Sequence, residues 1–230
     1  MQTVLPTSRV TRTSPILLAV LWGLFAVCSV LDWWALWRGQ RLVEKVAKPG
    51  AMLALIGVVL TSAGIERNTS LLLLLALLLC LAGDVLLLAE GDGRFLAGLS
   101  AFLLGHLAYA VLFLHLGLAA GWWALAAVVG LLGLLSFGVR IVRAAFGPEG
   151  PAGAALGVGV TAYIAVICVM AVLGWWTGNV WLGLGASIFV VSDTILGWNK
   201  FVRALPWGPV AVMVTYLAAQ ALLVIGVLAS

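Results

Sequence analysis

Residues 95–139, FLAGLSAFLLGHLAYAVLFLHLGLAAGWWALAAVVGLLGLLSFGV, hold no Asp, Glu, Lys or Arg in 45 positions and are interrupted only by His106 and His115. One membrane crossing takes about 20 apolar residues, so this run is long enough for two. It divides at residues 117–123, which carry the Gly and Trp of a turn at a membrane surface. Residues 150–192 form a second charge-free run of 43, divided at residues 175–179, and residues 204–230 a third of 27. Working outward from these runs predicts eight helices, near residues 16–37, 49–65, 69–90, 95–116, 119–139, 153–175, 178–199 and 208–228. The chain reads as an all-α, polytopic transmembrane helical bundle, one domain over 16–230 behind a short N-terminal extension, 1–15. Composition agrees: charged residues make up 9% of the chain, against roughly 25% in a soluble domain, and apolar residues 64%.

Arg9 and Arg12 before an apolar segment have the form of a signal peptide, but the segment is too long and lacks a small-residue cleavage site, so it reads as helix one. Cys28, Cys80 and Cys168 fall inside spans, too scattered for a disulfide framework or a zinc site, and read as small core residues. A pI near 9.3 does not point to nucleic acid, because the basic residues sit in loops between spans, where orientation explains them. Nine of the twelve, Arg38, Arg41, Lys45, Lys48, Arg94, Arg140, Arg143, Lys200 and Arg203, fall on the side opposite the termini. The positive-inside rule then puts both termini outside the cytoplasm, although Arg9 and Arg12 flanking helix one pull the other way. The sequence specifies no oligomeric state.

Two segments look alike: GDVLLLAEGDGRF around Asp84 and SDTILGWNKF around Asp193. Each acid is followed about 22 residues later by polar pairs in the next helix, His106 with Tyr109 and Tyr216 with Gln220. Helices three and seven are four apart and run the same way, so a duplication would give two parallel four-helix halves with both aspartates at one depth. Asp84 lies six residues before Glu90 and Asp193 seven before Lys200, roughly 9 to 11 Å inside each helix end. An acid there costs about 2.5 to 3.5 kcal/mol on the insertion scale, so it should face the bundle interior and have a partner or a task. His106 and Tyr109, and Tyr216 and Gln220, each share a helix face that can close a polar pocket around the acids, although a single His on an apolar helix is more often a core residue. Lys48 opens helix two beside Pro49, where its ammonium either meets a lipid phosphate or simply snorkels. Asp32, near the end of helix one, pairs with Arg38 or reaches the headgroups. All seven prolines fall in termini, loops or helix ends, which speaks against broken helices and against the alternative reading of a small transporter or lipid flippase using the two acids.

Taken as a set, Lys48-Pro49, Gly83-Asp84 with its leucine run, Phe95 with Gly98, Phe102, His106 and Tyr109, Ser192-Asp193, Lys200-Phe201, and Tyr216 with Gln220 resemble the YhhN family of membrane lysoplasmalogenases. The pieces extend from residue 48 to residue 220 in the right order, with departures at Gly50, where the family often has Leu, and at Asn199, where it often has an acid. The resemblance implies hydrolysis of the vinyl ether bond of a lysoplasmalogen, a lipid substrate taken from the bilayer, with no metal or organic cofactor. It implies Asp84 and Asp193 as catalytic acids and Lys48, His106, Tyr109, Ser192, Asn199, Tyr216 and Gln220 as substrate-binding residues. Which aspartate carries the proton stays open at this level.

Overall fold

The computed structural model of the protein describes residues 14–119, 121–147 and 151–230. Among them run eight α-helices: α1 Pro15–Arg38, α2 Arg41–Thr61, α3 Arg67–Leu87, α4 Asp92–Leu116, α5 Trp122–Ala145, α6 Pro151–Trp176, α7 Val180–Gly197 and α8 Gly208–Leu228. A π-helical turn, Trp198–Val202, extends α7. The expected N-terminal extension lies, except for its last two residues, outside the described residues.

Helix ends fall where the local chemistry stops the ladder. Gly117, in the left-handed region at φ 91°, follows α4, and Asn179 begins α7 by accepting the N–H groups of Trp181 and Leu182 on its side-chain oxygen. Glu66 does the same for α3, accepting the Thr69 N–H at 2.9 Å. Both expected surface turns therefore sit between helices.

Six described helices, α1, α3, α4, α6, α7 and α8, are long and apolar enough to cross a membrane. The expected second span, 49–65, differs most. α2 begins at Arg41, two turns early, and ends at Thr61. Arg41, Glu44, Lys45 and Lys48 occupy its first two turns, so only residues 49–61 are charge-free, about 20 Å of helix against the roughly 30 Å hydrocarbon core. Lys48 thus sits inside a helix and does not open one. Pro49 is likewise interior to α2, which corrects the expectation that every proline falls in a terminus, loop or helix end. Its ring nitrogen cannot donate to the Lys45 carbonyl, so one ladder bond is missing there.

Consecutive helices pack as antiparallel pairs, α1 on α2, α3 on α4, α5 on α6 and α7 on α8, with α4 on α6, α6 on α7, α2 on α3 and α1 on α8 completing the bundle. The seam between α3 and α4 is set by small residues: a Cβ added at Gly105 would stand 2.9 Å from Cys80 Sγ, and one at Gly98 2.8 Å from Leu87 Cδ2. In the other half a Cβ at Gly185 would meet Leu223 at 2.9 Å, so α7 and α8 pack through the same device. The buried core, with Leu55, Leu77, Phe113, Phe189 and Leu217 wholly enclosed, lies between these two pairs.

Candidate active site

On α2 the buried residues Lys48, Met52, Leu55 and Val59 recur at helical spacing, so the stripe that packs Met52 and Leu55 into the core also turns Lys48 inward. On α3 the same logic buries Leu73, Leu77, Cys80 and Asp84, and on α7 Ala186, Phe189 and Ser192 carry Asp193 with them. These stripes converge on a cavity of about 340 Å³ lined by Glu44, Lys48, Asp84, Phe95, Phe102, Ser192, Asp193, Asn199, Lys200 and Tyr216, among others. Both aspartates therefore face one chamber, at the end of the bundle where α1, α3 and α7 finish. Their distances to the helix ends are unequal, because α3 stops at Leu87, three residues after Asp84, while the π turn carries the α7 chain on to Val202.

The two acids are held differently. Asp84, 2% exposed, accepts one hydrogen bond on Oδ2 from the Tyr216 hydroxyl at 2.7 Å. Asp193 accepts on Oδ2 from the Tyr163 hydroxyl at 2.5 Å, and His106 Nε2 lies 3.0 Å from the same oxygen and 2.8 Å from the Tyr163 hydroxyl. With Tyr163 donating to the carboxylate, His106 carries its proton on Nε2 and donates into the pair. Its Nδ1 is buried without a hydrogen-bond partner among the described residues. The acid of α3 is held by α8, and the acid of α7 by α4 and by its neighbour α6. Phe189 joins the two sides, packing edge-to-face on His106 at 4.6 Å and on Tyr216 at 5.4 Å.

Cations frame the mouth. Lys48, only 8% exposed, lies 3.8 Å from Glu44 and within electrostatic reach of Asp84 and Asp32. Lys200, on the π turn, donates to Asp92 at 3.1 Å and rests 4.7 Å above the Phe95 ring. Asn199 spends its side-chain oxygen on the Leu205 N–H at 2.6 Å, fixing the turn from α7 into α8 while lining the chamber. Ser192 lines it too, and its hydroxyl ties α7 to the Val212 carbonyl of α8 at 3.0 Å. Of the other expected binding residues, Tyr216 lines the chamber. His106 stands behind Asp193, and Tyr109 and Gln220 bond to each other at 2.5 Å away from the chamber.

The YhhN family model matches residues 43–227. The chain belongs to the YhhN family. Among curated relatives, lysoplasmalogenase TMEM86B of Sus scrofa is 34% identical over 153 residues, covering 64% of this chain and 62% of that protein. The protein of the same name from Mus musculus is 43% identical over 56 residues, 23% of this chain and 25% of the relative, and that of Rattus norvegicus 46% over 48 residues, 21% of each. The chain thus spans less than two thirds of the length of these relatives. No solved structure matches it. Within the family match fall both aspartates, Lys48 and every charged residue lining the chamber.

Tyr163 is absent from the sequence expectations, and Asp32 departs from its own. Tyr163 is one of only three tyrosines in the chain, and all three donate inside the bundle, to Gln220, Asp193 and Asp84. A tyrosine in the middle of an otherwise apolar helix six was the available signal. Asp32 neither pairs with Arg38 nor reaches a headgroup: it is 0% exposed and neither carboxyl oxygen has a hydrogen-bond partner among the described residues. It lies on the inward stripe with Ser29 and Ala35, so helical periodicity turns it toward Lys48.

A second, smaller cavity of about 50 Å³ adjoins the first. Its wall is apolar, built from Gly138 and Ile141 of α5, Ile164, Ile167 and Cys168 of α6, and Val190 of α7. Phe95, Asp193 and Leu196 belong to both walls.

Proposed function

We propose that this chain hydrolyses the vinyl ether bond of lysoplasmalogens, releasing a fatty aldehyde and a glycerophospho-ethanolamine or glycerophospho-choline. The observation that carries the reading is a pair of carboxylates, buried beneath a membrane surface, facing one chamber beside an inward lysine. It is supported by the family and by the names of the relatives.

A vinyl ether is cleaved by protonating its outer carbon, which leaves an oxocarbenium ion. Water adds to that ion, and the hemiacetal collapses to aldehyde and alcohol. The reaction needs one proton-bearing acid and one carboxylate. Two donors converge on a single oxygen of Asp193, the pattern of an acceptor-only, ionised carboxylate. Asp193 then stabilises the cation and orients water. Asp84, with one donor and a second oxygen free of hydrogen bonds among the described residues, delivers the proton. Lys48 and Lys200 hold the phosphate at the chamber mouth. The mouth faces the cytoplasm in this reading, because nine of twelve basic residues lie at that end, and both termini face outward.

The test is to incubate purified protein in detergent with a lysoplasmalogen and with its saturated ether analogue. Aldehyde is expected from the first only, since only a vinyl ether can be protonated to an oxocarbenium ion, and a chelator should leave the rate unchanged. A flippase using the same acids would release no aldehyde. Cysteines placed in the loops after α1, α3 and α7 should be shielded in intact cells, and reversed labelling would overturn the orientation.

A further inference from the structure

We propose that the apolar cavity between α5, α6 and α7 is the site for the first saturated carbons of the substrate's single hydrocarbon chain, with Asp193 at the threshold between chain and headgroup chambers. This rests on the lysoplasmalogenase reading and adds to it how the lipid lies. The substrate is an amphiphile whose scissile bond sits where its polar and apolar parts meet. The protein has a matching junction. One chamber carries Lys48, Lys200, Glu44, Asn199 and both acids, the other is walled by Ile141, Ile164, Ile167 and Val190, and the two share Phe95, Asp193 and Leu196. A headgroup in the first chamber and the saturated chain in the second lay the ether and both vinyl carbons at Asp193, on the side of the threshold that Asp84 also lines.

The geometry at the threshold fits this placement. Tyr163 lines the apolar cavity while donating to Asp193, so the carboxylate is fixed from the chain side and does not depend on the headgroup for its position. Phe95, braced edge-to-face by Phe201 at 5.8 Å and capped by the Lys200 ammonium, forms the wall between the charged and the apolar side. At about 50 Å³ the cavity holds only the part of the chain next to the vinyl carbons. The half-buried Ile164 and Cys168 leave room for the rest of it to continue along the surface of α6.

Two experiments test the placement. The first reads protection of Cys168 in a Cys28→Ser background, where Cys80 is wholly buried and unreactive. The saturated ether lysolipid, which cannot be hydrolysed, should slow labelling of Cys168 by a small apolar thiol reagent, and its headgroup alone, glycerophosphoethanolamine, should not. If the saturated lipid inhibits aldehyde release competitively but leaves Cys168 labelling unchanged, the chain lies elsewhere and this placement is wrong while the activity stands. If no aldehyde forms from any lysoplasmalogen, the reading beneath it fails instead.

The second experiment narrows the cavity. A Cβ at Gly138 would meet Ile164 at 3.6 and 3.8 Å, ordinary contacts, so a side chain can start there, and Gly138→Leu, with a Tm within a few degrees of the parent's as its check on folding, narrows the cavity. It should raise KM by about tenfold for long-chain lysoplasmalogen, the scale of a badly fitted hydrophobic pocket. Gly23→Leu, at a position on α1 with nothing within 4 Å, should leave KM unchanged. Equal KM in Gly138→Leu and the parent would overturn the placement.

Discussion

Asp84 of α3 and Asp193 of α7 face one chamber, yet their surroundings differ in number of donors and in neighbouring charge. Asp84 has one phenol from α8 and Lys48 nearby. Asp193 has a phenol from α6 and an imidazole from α4 and stands at the edge of two cavities. Two like acids are made unlike by what the neighbouring helices present. For a reaction needing a proton and a carboxylate at once, that difference is useful: identical sites would compete for the same state.

The sharpest way to break the comparison is to remove both acids. Asp84→Asn and Asp193→Asn keep shape but lose proton transfer and charge, so each should lower kcat by about 10² or more, and the double variant should be little worse. Singles that stay active and lose only thermal stability, additively in the double, would make these acids packing residues.

A smaller effect separates the donor sets. Tyr216→Phe takes the only donor to Asp84 among the described residues, whereas Tyr163→Phe leaves Asp193 with His106. Tyr216→Phe should therefore cost more, about 1 to 3 kcal/mol in kcat or stability, the scale of leaving a buried polar group without its partner, and Tyr163→Phe less than half of that. Equal losses would mean that His106 does not support Asp193.

Lys48→Ala tests the charge asymmetry. It removes the cation near Asp84, Glu44 and Asp32, and should raise KM several-fold, about tenfold, with a smaller fall in kcat, if the ammonium mainly holds phosphate. A KM equal to the parent's would leave Lys48 as a structural counter-charge.

The smallest effect comes from the far end of α3 and α4, which serves as a control. Glu66 caps α3 and is bonded by His115 Nε2 at 2.9 Å. That bond, then the Thr69 and Asn68 N–H groups, hold its carboxyl down to about 2, from 4.5. A lowered pKa gives stability that is complete above 4.5 and is lost as pH falls toward 2. Glu66→Gln should thus lower Tm slightly at pH 7, and the gap to the parent should narrow at pH 3, with kcat unchanged. A change in kcat would show that the two ends of the bundle are coupled.

Charge-free runs of 45, 43 and 27 residues leave few alternatives to membrane-spanning helices, because backbone groups in lipid must bond within their own segment. The acids stood out because a carboxylate set inside the end of a membrane-spanning helix is costly unless it has work or a partner. Asp84, Asp193, Tyr216 and Lys48 were therefore readable one helix at a time. Where α2 began was not: four of residues 41–48 are charged, so they do not read as a membrane span, although Glu44 and Lys48, 3.8 Å apart one turn from each other, favour helix there. The role of Tyr163 and the inward orientation of Asp32 were not legible, because a single polar residue in an apolar span has no local signature of what it faces. The choice of partners, Asp84 with α8 and Asp193 with α4 and α6, was settled only by how the helices pack. Periodicity along one helix fixes which face is buried, but the residue met across the seam depends on the rotation and offset of two helices, which no single segment encodes.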